Sequence, residues 1–417
     1  MPPLTKKIVF VIISITGYWF VLNNFFLLSK DMIRGDLSAE KMVPQPLVGL
    51  FRIPDRVNTI EHNAVDHLAA DYAQVYFPSQ EFSSLTQNYE TGYLDPWKRP
   101  SRYAPFIHYV CYISFCKLDY GYASFFHMLT QMVLFFAFFV TAFKILGVES
   151  DIWQGVLLTS IFLFATPAGL SWFERGQFSL YVALSYLLLI LGFIKKKPIF
   201  VIASAFFAYV KWTSFPFIFV IFAIFLLSSK DKKDGIKNLQ MVLAYGIIIL
   251  VLSLAFRSRF IHFFEGLYKQ EANVEPVGIS LALLFPKTLV KILPFFLIPP
   301  GYFYWRKYKT LEPLIPYLIG CGILLLMYPT VAFEYNIPNL FCFIPLIFYW
   351  TKDSQPLGLV MRYGFFLFIF LASSPNYLTG FMSGNAILIG YVVVSAIFLL
   401  IPLFYTNTKT FIAESRQ

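Results

Sequence analysis

Apolar runs of membrane-spanning length recur along this chain, and short lysine-rich turns separate several of them. Twelve read as helices crossing a bilayer, at residues 8–28, 121–144, 152–173, 177–194, 198–211, 213–229, 239–256, 286–305, 314–331, 336–350, 357–374 and 384–404. A span needs ~20 apolar residues, and fewer where the bundle itself buries it. Composition agrees: 58% of residues are hydrophobic and only 13% charged, whereas a soluble domain is about half apolar and a quarter charged. Such a chain cannot cover its surface with polar groups, which excludes a set of soluble domains. The expected fold is all-α, a polytopic transmembrane helical bundle of about 12 spans forming one integral-membrane domain over residues 1–417.

The formal net charge of +10 points to the membrane and not to nucleic acid. Its lysines cluster between apolar runs, at Lys195-Lys196-Lys197, at Lys230, Lys232, Lys233 and Lys237, and at Arg306, Lys307 and Lys309. Cytoplasmic loops carry such an excess under the positive-inside rule. With Lys6-Lys7 inside, twelve crossings put all three clusters in the cytoplasm and return the C-terminus there. The apolar stretch from Ala104 to Phe115 is too short for a crossing that would preserve this count, so it reads as a re-entrant or interfacial helix. The run after Lys6-Lys7 is long enough to span and lacks a small-residue cleavage site, so it reads as the first span. Cys111, Cys116, Cys321 and Cys342 sit in apolar surroundings without zinc-ligand spacing and read as small buried hydrophobes.

One polar stretch stands out. Residues 29–103 hold 10 of the 23 acidic residues and fall on the outer face by the same count, as a large structured loop lying over the bundle. Residues 104–230 then form a motif-bearing transmembrane module, and residues 231–417 add the C-terminal helices. Lys211-Trp212-Thr213-Ser214 and Pro216 break one apolar region in two. Irregular backbone at membrane depth is tolerated only around protein or a water-filled cavity, so the break predicts a cavity opening outward.

The outer face therefore combines carboxylates of the first loop with cations at helix ends: Arg175, Lys211, Arg257 and Arg259. A carboxylate that removes a proton beside cations that hold an anion suits a lipid-linked phosphosugar. Within the loop, His67 and Asp71 stand four residues apart, as do His62 and Asp66, which places each pair on one helical face. No Asp-x-Asp occurs and the five histidines are scattered. Hard cations need several oxygen ligands close together, so metal-independent chemistry without a cofactor is expected.

An ordered set of motifs gives a resemblance. Asp71-Tyr72 with Tyr76, Gly92-Tyr93 and Arg102-Tyr103-Ala104-Pro105 are followed by Arg175-Gly176-Gln177-Phe178-Ser179-Leu180. Lys195-Lys196-Lys197, then Ala208-Tyr209-Val210-Lys211 and Pro216, complete the set. Over residues 71–230 this resembles glycosyltransferase family 87 of the GT-C superfamily, the polyprenol-phosphate-mannose-dependent α-1,2-mannosyltransferases. The resemblance implies a GT-C bundle that transfers a hexose, such as mannose, from a polyprenyl-phosphate donor to a glycan or glycolipid acceptor. Asp71 would be the general base, with Asp66 as the alternative. Arg175, Gln177 and Lys211 would meet the donor phosphate, with Arg257 and Arg259 as second candidates. Tyr72, Tyr76, Tyr103 and Glu334 would contact sugar or acceptor. One carboxylate suffices because a phosphate is already a good leaving group, in contrast to the paired carboxylates of most glycosidases.

Two other readings stay open on sequence, a secondary transporter and a lipid-linked glycan polymerase or ligase. Against the first, no repeat relates the two halves. Against the second, the large outer loop comes early. A bacterial cytoplasmic membrane is the expected location, and an endoplasmic reticulum membrane the alternative.

Overall fold

The computed structural model describes residues 3–34, 69–84, 89, 95, 101–227, 229, 231–273, 275–308, 311–352, 356–373 and 384–404. Asp66, His62, His67, Gly92 and Tyr93, with most of the acidic first loop, lie outside the described residues. What is described is almost all helix. The first half runs α1 (Pro3–Arg34), α2 (Ala70–Gln80), α3 (Pro105–Ile113), α4 (Tyr120–Leu146), α5 (Ile152–Phe164), α6 (Pro167–Glu174), α7 (Ser179–Lys195) and α8 (Pro198–Val210). It continues with α9 (Phe215–Leu227), α10 (Lys232–Ala255), α11 (Arg257–Asn273), α12 (Lys287–Phe296), α13 (Ile298–Tyr308) and α14 (Leu314–Leu326). A 3-10 helix (Glu334–Cys342), α15 (Phe343–Trp350), α16 (Pro356–Ala372) and α17 (Gly384–Leu400) close the order. The two-residue strands β1 (Val277–Gly278) and β2 (Val331–Ala332) pair in parallel.

Among the described residues three helices are long and apolar enough to cross a membrane, Tyr120–Leu146, Lys232–Ala255 and Asn385–Phe404. A fourth candidate is the α5–α6 pair, bent by 69°. Pro167 explains that bend: it sits in the first turn of α6, where its missing amide hydrogen costs nothing, while Thr166 caps the turn by accepting from the Gly169 amide. Five shorter apolar helices, of ten to seventeen residues, accompany these.

Burial sorts the helices. From Ser179 to Phe193 every residue of α7 is buried, as expected for a helix that is apolar all round and lies at the centre of a bundle. It packs against α8, α4 and the 3-10 helix. By contrast α10 exposes Ile247, Leu250, Val251 and Leu254, each more than half open. Apolar side chains on the outside and in the core alike suit a lipid solvent. Close helix contact uses small residues: a Cβ on Gly320 of α14 would stand 2.9 Å from the Ser395 carbonyl oxygen of α17.

Several expected spans are not single helices. The run 286–305 divides at Leu297, between Pro294 and the Pro299-Pro300 pair, since proline cannot supply the amide hydrogens that a continuous helix needs. The Leu297 carbonyl is met instead by the Tyr317 hydroxyl. The run 336–350 begins as a 3-10 helix around Pro338. The α3 helix has nine residues, about 14 Å at 1.5 Å per residue, short of the ~30 Å hydrocarbon core. Cys111 and Cys116 differ from expectation: they form a disulfide that closes α3 onto the following turn. Cys321 and Cys342 are buried free thiols.

At one end of α7 the Lys195-Lys196-Lys197 turn is tied to the start of α10, where Lys196 Nζ meets Asp234 at 2.8 Å and Asn238 Oδ1 at 2.6 Å. Seventeen residues away, about 25 Å along the axis, the other end of α7 carries the candidate site.

Candidate functional site

The site starts from a helix ending. At the C-terminus of α6, Arg175 still bonds back to Ser171, Gly176 turns left-handed at φ 64°, and the Gln177 amide donates to the Trp172 carbonyl. Glycine serves here twice. It takes the positive φ that other residues avoid, and a Cβ at this point would stand 2.8 Å from Cβ of Tyr72. That close approach lets α2 dock on the turn. The Ala69 amide donates to the Glu174 carbonyl at 2.5 Å and the Asp71 amide to the Arg175 carbonyl at 2.9 Å. Asp71 is thereby placed by backbone bonds before its side chain makes any.

The side chains then form a connected row. Arg175 clamps Asp71 through two bonds, Nε to Oδ2 at 2.6 Å and Nη2 to Oδ1 at 2.8 Å. Gln177 Nε2 also donates to Asp71 Oδ2. Lys211, at the break between α8 and the following 3-10 turn, donates to Gln177 Oε1 at 2.9 Å and to Asn336 Oδ1 at 2.8 Å. The Tyr335 ring lies beneath both cations, 5.0 Å from the Arg175 guanidinium and 5.9 Å from Lys211 Nζ. Its carbonyl accepts from the Ser179 hydroxyl at 2.9 Å. Behind the row, Gln131 Nε2 donates to the Gln177 carbonyl at 2.8 Å, and the His127 ring stacks on Tyr72 at 4.4 Å. Four stretches separated by up to 265 positions, at residues 71, 175–177, 211 and 335–336, meet here.

This row forms one wall of a cavity of about 530 Å³. Asp71, Gln74, Gln177, Lys211, Asn336 and Asn339 contribute to its polar part, and Arg102 with Tyr103 joins from the segment before α3. Trp212, Phe264, Leu267, Leu325 and Leu326 make an apolar wall, and Lys287 and Lys291 of α12 bring two further cations. Cavities of 300–1,000 Å³ with a few convergent polar groups are typical ligand sites.

Sequence expectations fare unevenly. Asp71, Gln177, Lys211 and Tyr103 line the cavity; Arg175 stands behind Asp71 as its partner. Tyr72 and Tyr76 do not line it. Tyr72 is buried with its hydroxyl 3.1 Å from the Cys111 sulfur, and Tyr76 donates to the Leu118 carbonyl at 2.9 Å, so both are packing residues of the α2–α3 unit. Arg257 and Arg259 also lie off the cavity wall. Arg259 sits 4.4 Å over the Phe82 ring and donates to the Phe82 carbonyl at 3.3 Å, which ties α11 to the turn after α2. Glu334 is absent from the lining while its neighbours Tyr335 and Asn336 take part. Asn336, Gln74, Arg102, Lys287 and Lys291 were not among the expected site residues. A usable signal existed for the lysines, which stand one helical turn apart in an otherwise apolar segment.

Among the described residues no three His, Cys, Asp or Glu side chains are grouped as metal ligands. No protein-family model, no curated protein and no solved structure matches this chain.

Proposed function

We propose that this chain is an integral-membrane glycosyltransferase of GT-C type, which moves a hexose from a polyprenyl-phosphate carrier to a glycan or glycolipid hydroxyl. The observation that carries the reading is the placement of Asp71, held by Arg175 and Gln177, on the wall of a cavity that also presents Lys211 and a long apolar surface. A lipid phosphosugar has a matching make-up: an apolar tail, an anion and a polar ring. The basic turn at Lys195–Lys197 lies about 25 Å from the site along α7, comparable to the ~30 Å of a hydrocarbon core. With that turn in the cytoplasm, the site opens on the outer face of a twelve-span bundle, in a bacterial cytoplasmic membrane.

The chemistry follows from charge. The acceptor oxygen attacks the anomeric carbon as the bond from that carbon to the phosphate oxygen breaks, and the electron pair leaves on the phosphate. An attacking hydroxyl becomes strongly acidic once bonded to the sugar, so even a carboxylate paired with Arg175 accepts its proton late in the step. Attack opposite the leaving group inverts the centre, and a β-linked donor gives an α-linked product. Lys211 neutralises charge growing on the departing phosphate. Asp71 is the base in this reading, and Arg175 and Gln177 position it.

Incubating the purified chain with labelled polyprenyl-phosphate hexoses and membrane glycolipids should consume one donor and produce a labelled acceptor. Translocation of an intact solute into vesicles without bond cleavage would favour a transporter. Transfer should survive exhaustive chelation, and strict dependence on a divalent ion would place an oxygen-ligand site in the reaction.

The donor phosphate needs a cation, and Lys211 presents one on the cavity wall. Lys211→Met should raise the donor KM about tenfold or more, as loss of one charge-assisted contact does. A donor KM unchanged by the substitution removes Lys211 from the phosphate site.

A further inference from the structure

Two ladders of side chains border the cavity. On α2, Gln74 stands three residues after Asp71, one turn along the same helical face. On the 3-10 helix, Asn339 stands three residues after Asn336, and side chains at that spacing eclipse. All four residues line the cavity. The first rung of each ladder is engaged: Asp71 receives Arg175 and Gln177, and Asn336 receives Lys211. The second rung differs. Gln74 Oε1 and Asn339 Oδ1 have no hydrogen-bond partner among the described residues, although the two residues are only 7% and 6% exposed. Trp212, on the same cavity, leaves its Nε1 hydrogen without a partner among them too.

Buried polar groups are bonded as a rule, and leaving one unbonded is costly. Two amides kept in that state on one cavity point to a ligand that completes them. Their chemistry says which kind. The unmet amide atoms are acceptors, so the ligand must donate, and an ionised phosphate or carboxylate offers only acceptors. A cationic donor would meet Lys211 and Arg102 on the same wall. An uncharged hydroxyl satisfies both conditions. The last torsion of an amide side chain is broad, so either end can turn to the cavity. An amide both donates and accepts, as a hydroxyl does, and it thereby matches adjacent hydroxyls on a sugar ring.

We propose that Gln74 and Asn339 form a neutral subsite that reads the hydroxyls of a hexose ring and determines which sugar the chain accepts. Assigning that ring to the transferred sugar rests on the glycosyltransfer reading; the subsite itself rests on the unmet amide oxygens.

The test uses the full chain in a detergent that carries no sugar. Octyl glucoside, octyl mannoside and octyl galactoside are the binding probes, and the tetraethylene glycol ether of the same alkyl chain is the control. One hexoside should bind at least about tenfold more tightly than the ether. Gln74→Met/Asn339→Leu keeps side-chain size while removing both amides, and it should erase that preference. The variant should nevertheless melt no lower than the unaltered chain, because the polar atoms it removes have no bond to lose. A clear fall in Tm would show that the amides hold the fold, and it overturns the subsite. Equal binding of hexosides and ether by the unaltered chain, or a preference that survives in the variant, overturns it as well. In transfer assays the variant should lower kcat/KM for the preferred hexose donor at least about tenfold and narrow the ratio between donors that differ at one hydroxyl. An unchanged ratio with a raised acceptor KM assigns the subsite to the acceptor glycan and overturns the donor assignment. Intact preference for one hexoside together with no transfer from any lipid-phosphate sugar sinks glycosyltransfer and leaves the hexose subsite standing.

Discussion

Asp71→Asn is expected to lower sugar transfer at least ~10²-fold per folded molecule, since a positioned base contributes ~10²–10⁴-fold. The substitution is close to isosteric: its carbonyl oxygen can still accept from Arg175 or Gln177, while its NH2 faces the remaining donor and forgoes that bond. What disappears is the ability to take a proton. Some stability goes with it, because Arg175 is only 8% exposed and loses the charge that faces it. The measurement is therefore turnover normalised to protein that elutes as a single species, with donor binding recorded in parallel. Retained donor binding with lost turnover marks a group that acts in the chemical step. Near-normal turnover moves the base elsewhere, to Asp66 first.

The second large effect is on stability. Arg175→Met should destabilise the fold by about 3–5 kcal/mol, the usual consequence of removing one member of a buried ion pair. Asp71 would keep the Gln177 donor and its backbone placement but lose both guanidinium bonds. Here the pair also fastens α2 to the end of α6, so its loss should loosen the junction on which the cavity wall is built. Combining Arg175→Met with Asp71→Asn removes both charges, and replacing a whole buried pair with neutral groups is often close to neutral. The double variant should melt nearer the unaltered chain than Arg175→Met alone. Strictly additive losses would mean that the two side chains do not depend on each other. Lysine is no substitute at position 175, because it lacks the planar fork that spans both carboxylate oxygens.

Helix formation was readable from residue order because it depends on local properties: apolar runs, prolines and basic turns. The break at Lys211, the Lys195–Lys197 turn and the central apolar run that becomes α7 all follow from neighbours in sequence. Helix continuity was harder to read. Residues 286–305 look like one apolar span, yet Pro294 and Pro299-Pro300 cannot supply the amides of an unbroken helix, and the run divides. Averaged apolarity hides that. At the site, Asp71, Arg175, Gln177 and Lys211 could be nominated from motif order, whereas Tyr72 and Tyr76 could not be told from packing residues. The direction of an aromatic side chain depends on what it packs against.

By itself the sequence determined the solvent of this protein and the helical nature of its segments, because the balance of apolar to charged residues and the periodicity of each run are properties of the chain alone. Tertiary structure decided which cations share one cavity and which serve elsewhere. Arg259 was spent on Phe82, while Lys287 and Lys291, far along the chain from Asp71, came round to face the same cavity. That choice rests on how helices stack and where a glycine allows two of them to touch, as Gly176 does beneath Tyr72. Contacts between distant residues carry no local signature, and only the packed fold brings them together.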